Sequence, residues 1–248
     1  MMKKVLALLA ALMMLGVTGL AMAEGAEKLV VGTNAEFAPF ESIGDDGKIV
    51  GFDVDLIDAI LKDAGYEYEI ISIEFDALTS ALASGQIDIA ISGMTITEER
   101  KGYVLFSEPY FNASQKLVVV EGSPITQAAD LKEGMKVGVQ MGTTGDLYAT
   151  DNLPVEVVRY NKILDAILDM KNGRLDAVMT DAAPSDYYAK AAGGLTVLPE
   201  ELSEEKYGIA VKLDNTELIE KINAALAQLV EDGTYETIHA KYFTPAEE

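Results

Sequence analysis

Apolar residues along this chain alternate between two spacings. Lys28–Thr33, Tyr66–Ile73 and Ile87–Ile91 are short runs rich in β-branched residues and read as strands. Between them Leu56, Ile60 and Leu61, then Leu78, Ala81 and Leu82, fall on one helical face, predicting helices over Asp55–Ala64 and Asp76–Ser84. Asp45-Asp46-Gly47-Lys48 is a turn joining two short extended pieces. A second set follows, with strands Lys116–Val120, Lys136–Gln140, Val155–Arg159 and Ala177–Thr180 among helices Gly145–Thr150, Lys162–Asn172 and Ser185–Ala192. The run Tyr207–Val211 then leads to helices Glu217–Asp232 and Tyr235–Tyr242. Strands alternating with helices in this way predict an α/β fold with mainly parallel sheets. There is no short-period repeat and no low-complexity linker.

The first residues break the pattern. Lys3 and Lys4 precede a mostly apolar stretch, Val5–Leu20, and Ala21-Met22-Ala23 is a small-x-small cleavage site, so Met1–Ala23 reads as a secretory signal peptide. The chain has no cysteine. Export therefore brings no disulfide, and no thiol near the cleavage site can take a lipid anchor, which points to a free periplasmic protein. The formal net charge is −22, from 41 acids against 19 bases, and loss of the two leader lysines makes it more negative. Such a surface repels nucleic acid and anionic lipid. It does not choose a ligand.

Candidate chemistry concentrates at Ile91-Ser92-Gly93-Met94-Thr95-Ile96-Thr97-Glu98-Glu99-Arg100. A strand that ends in small residues, followed by a threonine and an arginine five positions on, can aim backbone N–H groups, a hydroxyl and a guanidinium at one small anion. The guanidinium fork matches a carboxylate and stays charged. Asp181 follows a strand end, where ligands of open α/β sheets bind, although an acid there also suits a helix N-cap. Thr143 and Thr144, after Gly142, suit both a helix cap and an anion contact.

These residues belong to an ordered set: Gly51-Phe52-Asp53-Val54-Asp55-Leu56, the Gly93–Arg100 turn, Phe106-Ser107-Glu108-Pro109-Tyr110, Gly138-Val139-Gln140-Met141-Gly142-Thr143-Thr144 and Arg174-Leu175-Asp176-Ala177-Val178-Met179-Thr180-Asp181. The set resembles the polar amino-acid-binding proteins of bacterial ABC importers, through Gly233-Thr234-Tyr235 near the end. Leu61 is bulkier than the small residue usual at its position. The resemblance implies a two-lobed periplasmic binding protein of type II with the ligand between the lobes. Residues 24–116 and 210–248 would form lobe 1, and 117–209 lobe 2, with crossings near Gln115–Glu121 and Glu205–Ala210 acting as a hinge. It also implies a monomer that delivers its ligand to an ABC permease and its ATPase subunits. The chain has no Gly-x-x-x-x-Gly-Lys loop of its own.

By the same resemblance, Arg100, Thr95 and the Gly93 backbone hold an α-carboxylate, Thr143 and Thr144 meet it from the other lobe, and Asp181 pairs with the α-ammonium. Phe37 and Phe75 would sandwich the side chain, with Asn34 and Gln140 reading it. On residue type alone, either phenylalanine also suits a core. Asn34 stands where several relatives carry an acid, and it can accept from a guanidinium or pair with an amide. Glu36 and Glu41 are nearby acids that could supply the missing charge. Gln140 matches arginine-binding relatives better than glutamine-binding ones, so the expected ligand is a basic L-amino acid, arginine first. The alternatives are a receptor for glutamine or another neutral polar amino acid, and a dehydratase on the same fold. No cofactor is expected. Nor is a metal: Asp53 and Asp55 suit helix capping, Asp45-Asp46-Gly47 lacks calcium-loop spacing, and His239 is the single histidine.

Overall fold

The structure, a computed structural model, describes residues 28–243. The signal-peptide reading of Met1–Ala23 lies outside them. In chain order the first strands are β1 (Leu29–Thr33), β2 (Glu36–Phe37), β3 (Glu41–Ile43), β4 (Ile49–Val50), β5 (Tyr68–Ser72), β6 (Ile89–Ala90), β7 (Val104–Phe106) and β8 (Phe111–Ala113). They are followed by β9 (Gln115–Val120), β10 (Lys136–Gln140), β11 (Glu156–Tyr160), β12 (Ala177–Asp181), β13 (Leu195–Val197), β14 (Glu205–Tyr207) and β15 (Ala210–Lys212). The helices are α1 (Phe52–Asp63), α2 (Leu78–Ser84), α3 (Glu98–Lys101), α4 (Thr144–Asn152), α5 (Ile163–Lys171), α6 (Ala182–Ala192), α7 (Thr216–Glu231) and α8 (Thr234–Phe243).

Two five-stranded sheets result, in the orders β5-β1-β6-β15-β7 and β11-β10-β12-β9-β13. Each has a parallel centre, β5-β1-β6 in one and β11-β10-β12 in the other, and antiparallel partners on one side. Central strands covered by helices on both faces are apolar throughout, as in Val137, Val139, Ala177 and Val178, all fully buried. Helix α1 buries Phe52, Leu56, Ile57, Ile60 and Leu61, and α7 buries Leu218, Ile222 and Leu226 on the stripe its spacing predicts. The bulky Leu61 is accommodated with no exposure at all.

The chain passes between the sheets twice. Strands β8 and β14 pair antiparallel, Phe111 opposite Tyr207 and Ala113 opposite Glu205. Strand β9, Gln115–Val120, covers the strand expected over Lys116–Val120 and lies between β12 and β13. The run Tyr207–Val211 is divided between the β8/β14 ribbon and the first sheet. Gly208 lies at the break, and a Cβ there would stand 2.8 Å from Ile96 Cγ1, so a side chain would force a local shift. Among the described residues no helix is long and apolar enough to cross a membrane.

Candidate ligand-binding site

All ten residues singled out in the sequence line one small, nearly filled cavity between the sheets, together with Ser92. They sit beyond strand carboxyl ends: Asn34 follows β1, Gly93 and Thr95 follow β6, Gln140 ends β10 and Asp181 ends β12. Gly93 adopts φ 51°, and a Cβ there would stand 2.9 Å from the Phe37 ring. The position admits glycine for both reasons.

Arg100 lies on the single turn of α3, where the Thr97 side chain caps the Arg100 N–H at 3.1 Å. Its Nη1 donates to the Thr95 carbonyl at 2.7 Å and its Nη2 to the Gly142 carbonyl at 3.1 Å, so it joins the turn after β6 to the turn after β10. The guanidinium carbon lies over the Phe75 ring, 5.3 Å from its centroid. Burial lowers the Arg100 pKa, while Glu205 and Asp181 oppose that effect. An arginine nevertheless keeps its charge.

Asp181 does not cap α6 through its side chain. Its Oδ1 accepts from the Tyr207 hydroxyl at 2.6 Å. Burial first, and the Glu205 carboxylate second, push its pKa up to about 7. A nearby ammonium would reverse that shift.

The sequence reading missed Glu205. Its Oε2 accepts from Thr95 Oγ1 at 2.5 Å and from Thr144 Oγ1 at 2.7 Å, and its Oε1 from Ser203 Oγ at 2.7 Å. The Thr95 and Thr144 hydroxyl protons, expected on the ligand carboxylate, are therefore committed to this side chain. Thr143 is a cap: its hydroxyl accepts from the Asp146 N–H at 3.2 Å and donates to the Gln140 carbonyl at 2.7 Å. Gln115 was missed as well. It is fully buried, and its Nε2 reaches Thr144 Oγ1 at 3.3 Å.

Asn34 and Gln140 meet across the cavity. Gln140 Nε2 donates to Asn34 Oδ1 at 2.9 Å and to the Asn161 carbonyl at 3.0 Å, while Asn34 Nδ2 donates to the Ile73 carbonyl at 2.9 Å. Neither Glu36 nor Glu41 lines the cavity. Glu36 pairs with Lys162 at 2.5 Å, and Glu41 is fully buried beside Asp53. Asp53 and Asp55, expected as caps, do not cap α1, whose start at Gly51 has no side-chain cap. Asp53 instead holds the Gly93 N–H at 2.8 Å, and Asp55 accepts from Lys241 at 2.6 Å and Tyr242 at 2.7 Å. Among the described residues no group of three or more potential ligands could hold a metal. His239 packs at 5.9 Å from both Phe52 and Phe111, away from the cavity.

Residues 29–245 match the model of the bacterial extracellular solute-binding proteins, family 3. The chain belongs to that family. The chain is similar to the "ABC transporter arginine-binding protein 1" of Escherichia coli (strain K12), 40% identical over 227 residues, or 89% of this chain and 93% of that protein. A solved ancestral arginine-binding protein bound to arginine is 46% identical, with a TM-score of 0.83 over 87% of this chain and 98% of the other. The ancestral amino acid-binding protein AncCDT-1, described as a precursor of cyclohexadienyl dehydratase, also has a TM-score of 0.83, at 36% identity over 88% and 96%. The fold shared with these solved structures agrees with the α/β reading of the sequence.

Proposed function

We propose that this chain is an extracytoplasmic receptor that binds a basic L-amino acid, arginine first, and delivers it to an ABC permease driven by its ATPase subunits. The observation that carries the reading is the charge of the cavity. Among the described residues Arg100 is the cation in its wall and Asp181 the carboxylate, with Glu205 directly behind Thr95 and Thr144. Arg100 and Asp181 balance the two ends of a zwitterion. Glu205 adds a further negative charge just outside the lining, which favours a ligand of net positive charge over a neutral one. Similarity to arginine-binding relatives supports the same choice.

Arg100 would hold the α-carboxylate and Asp181 the α-ammonium, between Phe37 and Phe75. The paired strands β8 and β14 would be the hinge on which lobes built around the two sheets open, with the monomer as the working unit. Residues 1–23 would be a cleaved leader, placing the protein in the periplasm without a lipid anchor. No cofactor or catalytic step is assigned.

Thermal unfolding against the twenty amino acids tests the reading. Ligand at ~100 times its dissociation constant adds about 2.7 kcal/mol of stability. Arginine should shift the midpoint most, with lysine or histidine next. A chain stabilised by glutamine and indifferent to arginine would replace the ligand assignment. Product formed from arogenate or prephenate would replace the receptor by a dehydratase.

A further inference from the structure

Glu41 on β3 and Asp53 in the first turn of α1 are both fully buried. Glu41 Oε1 accepts from the Ser92 hydroxyl at 2.7 Å, and Ser92 Oγ accepts from the Asn34 N–H at 3.0 Å. Asp53 Oδ2 accepts from the Gly93 N–H and from the Tyr110 hydroxyl, each at 2.8 Å. The remaining oxygens, Glu41 Oε2 and Asp53 Oδ1, are buried without a partner. The two carboxyl groups converge on consecutive residues, Glu41 on the Ser92 hydroxyl and Asp53 on the Gly93 N–H, and the Asp53 charge acts on Glu41. Two adjacent anions out of water would repel, whereas one proton between the orphaned oxygens satisfies both.

We propose that Glu41 and Asp53 share one proton at neutral pH, and that the proton-bearing pair is a positioning device for the Asn34 and Ser92–Gly93 wall of the cavity. The inference does not depend on which ligand the cavity takes. Burial raises both carboxyl groups, and the Asp53 charge raises Glu41 further. The other ionisable groups that sense the pair are Tyr110 ahead of β8, Tyr188 on α6 and Tyr235 on α8. Burial raises all three, so they stay neutral in the range that matters.

In the unfolded chain both acids titrate near pH ~4. The contribution of the shared proton is therefore fully present below that pH. It is lost as pH rises, by up to about tenfold in the folding constant per pH unit, until the pair gives up its proton. Asp181 adds a slope of the same sign, so the test uses an Asp181→Asn background. There Glu41→Gln replaces the proton by a permanent N–H donor, while its amide oxygen still accepts from Ser92. Urea unfolding between about pH 5 and pH 8 should lose up to one proton of pH dependence relative to the background protein. The infrared band of a protonated carboxyl group at about pH 8 in heavy water should be present in the background protein and absent from Glu41→Gln. Asp53→Asn should also remove the band, which keeps the test decisive if Glu41→Gln fails to fold. A background protein with no such band, or a folded Glu41→Gln with an unchanged slope, overturns the shared proton.

Discussion

Gln140 and Asn34 join the two sheets side chain to side chain, amide nitrogen to amide oxygen at 2.9 Å. Asn34 spends its own NH₂ on the Ile73 carbonyl, also at 2.9 Å. A carboxylate at position 34 would have to turn an oxygen toward that carbonyl. Asn34→Asp should therefore fail to strengthen arginine binding, although it adds the negative charge a guanidinium would favour. It should also lower stability by about 1–3 kcal/mol, the cost of an unmade buried hydrogen bond. Urea titration and calorimetry with arginine check both parts.

Arg100→Ala should weaken arginine binding by roughly 100-fold or more, since two charge-assisted hydrogen bonds are each worth about 1.5–3 kcal/mol. Arg100→Lys should recover little, because the fork that grips Thr95 and Gly142 together is gone. Calorimetry on folded protein, with circular dichroism as the control for fold, separates lost recognition from lost structure.

Affinity should fall in acid. In the free protein Asp181 takes up a proton below about pH 7. An ammonium needs the ionised form. Binding should be strongest above pH 7 and weaken by up to about tenfold per unit as pH drops. Titrations in buffers of different ionisation enthalpy should show proton release on binding near pH 6, and Asp181→Asn should remove it.

Glu205→Gln should shift selectivity. The amide oxygen can still accept from Thr95 and Thr144, so the local contacts remain available, but the extra negative charge disappears. At an effective dielectric of about 20 one such charge is worth on the order of 1–2 kcal/mol across a pocket. Arginine affinity should drop by about tenfold while glutamine affinity changes little. Competition binding of the two amino acids checks it.

The positions of Arg100, Thr95 and Asp181 were legible because each stands at a fixed distance from a strand end, and strand ends are what apolar spacing reveals. Glu205 was not. It sits on the three-residue strand β14, and its meaning comes from Thr95 and Thr144, 110 and 61 positions away. Glu41 and Asp53 were misread for a related reason. An acid near the expected site looks available to a ligand, and an acid at a helix start looks like a cap, until Ser92 and Gly93 arrive from elsewhere to hold them. The fold followed the same division. The alternation of elements could be read along the chain, but the close approach of Ile96 to Gly208 joins segments more than a hundred positions apart.

Strand β15 lies between β6 and β7, paired with both. Those neighbours appear more than a hundred residues earlier in the chain. A chain halted anywhere before Ala210 leaves the facing edges of β6 and β7 open, each offering unpaired backbone to another molecule. The first sheet therefore cannot close until synthesis has run through the whole of the second.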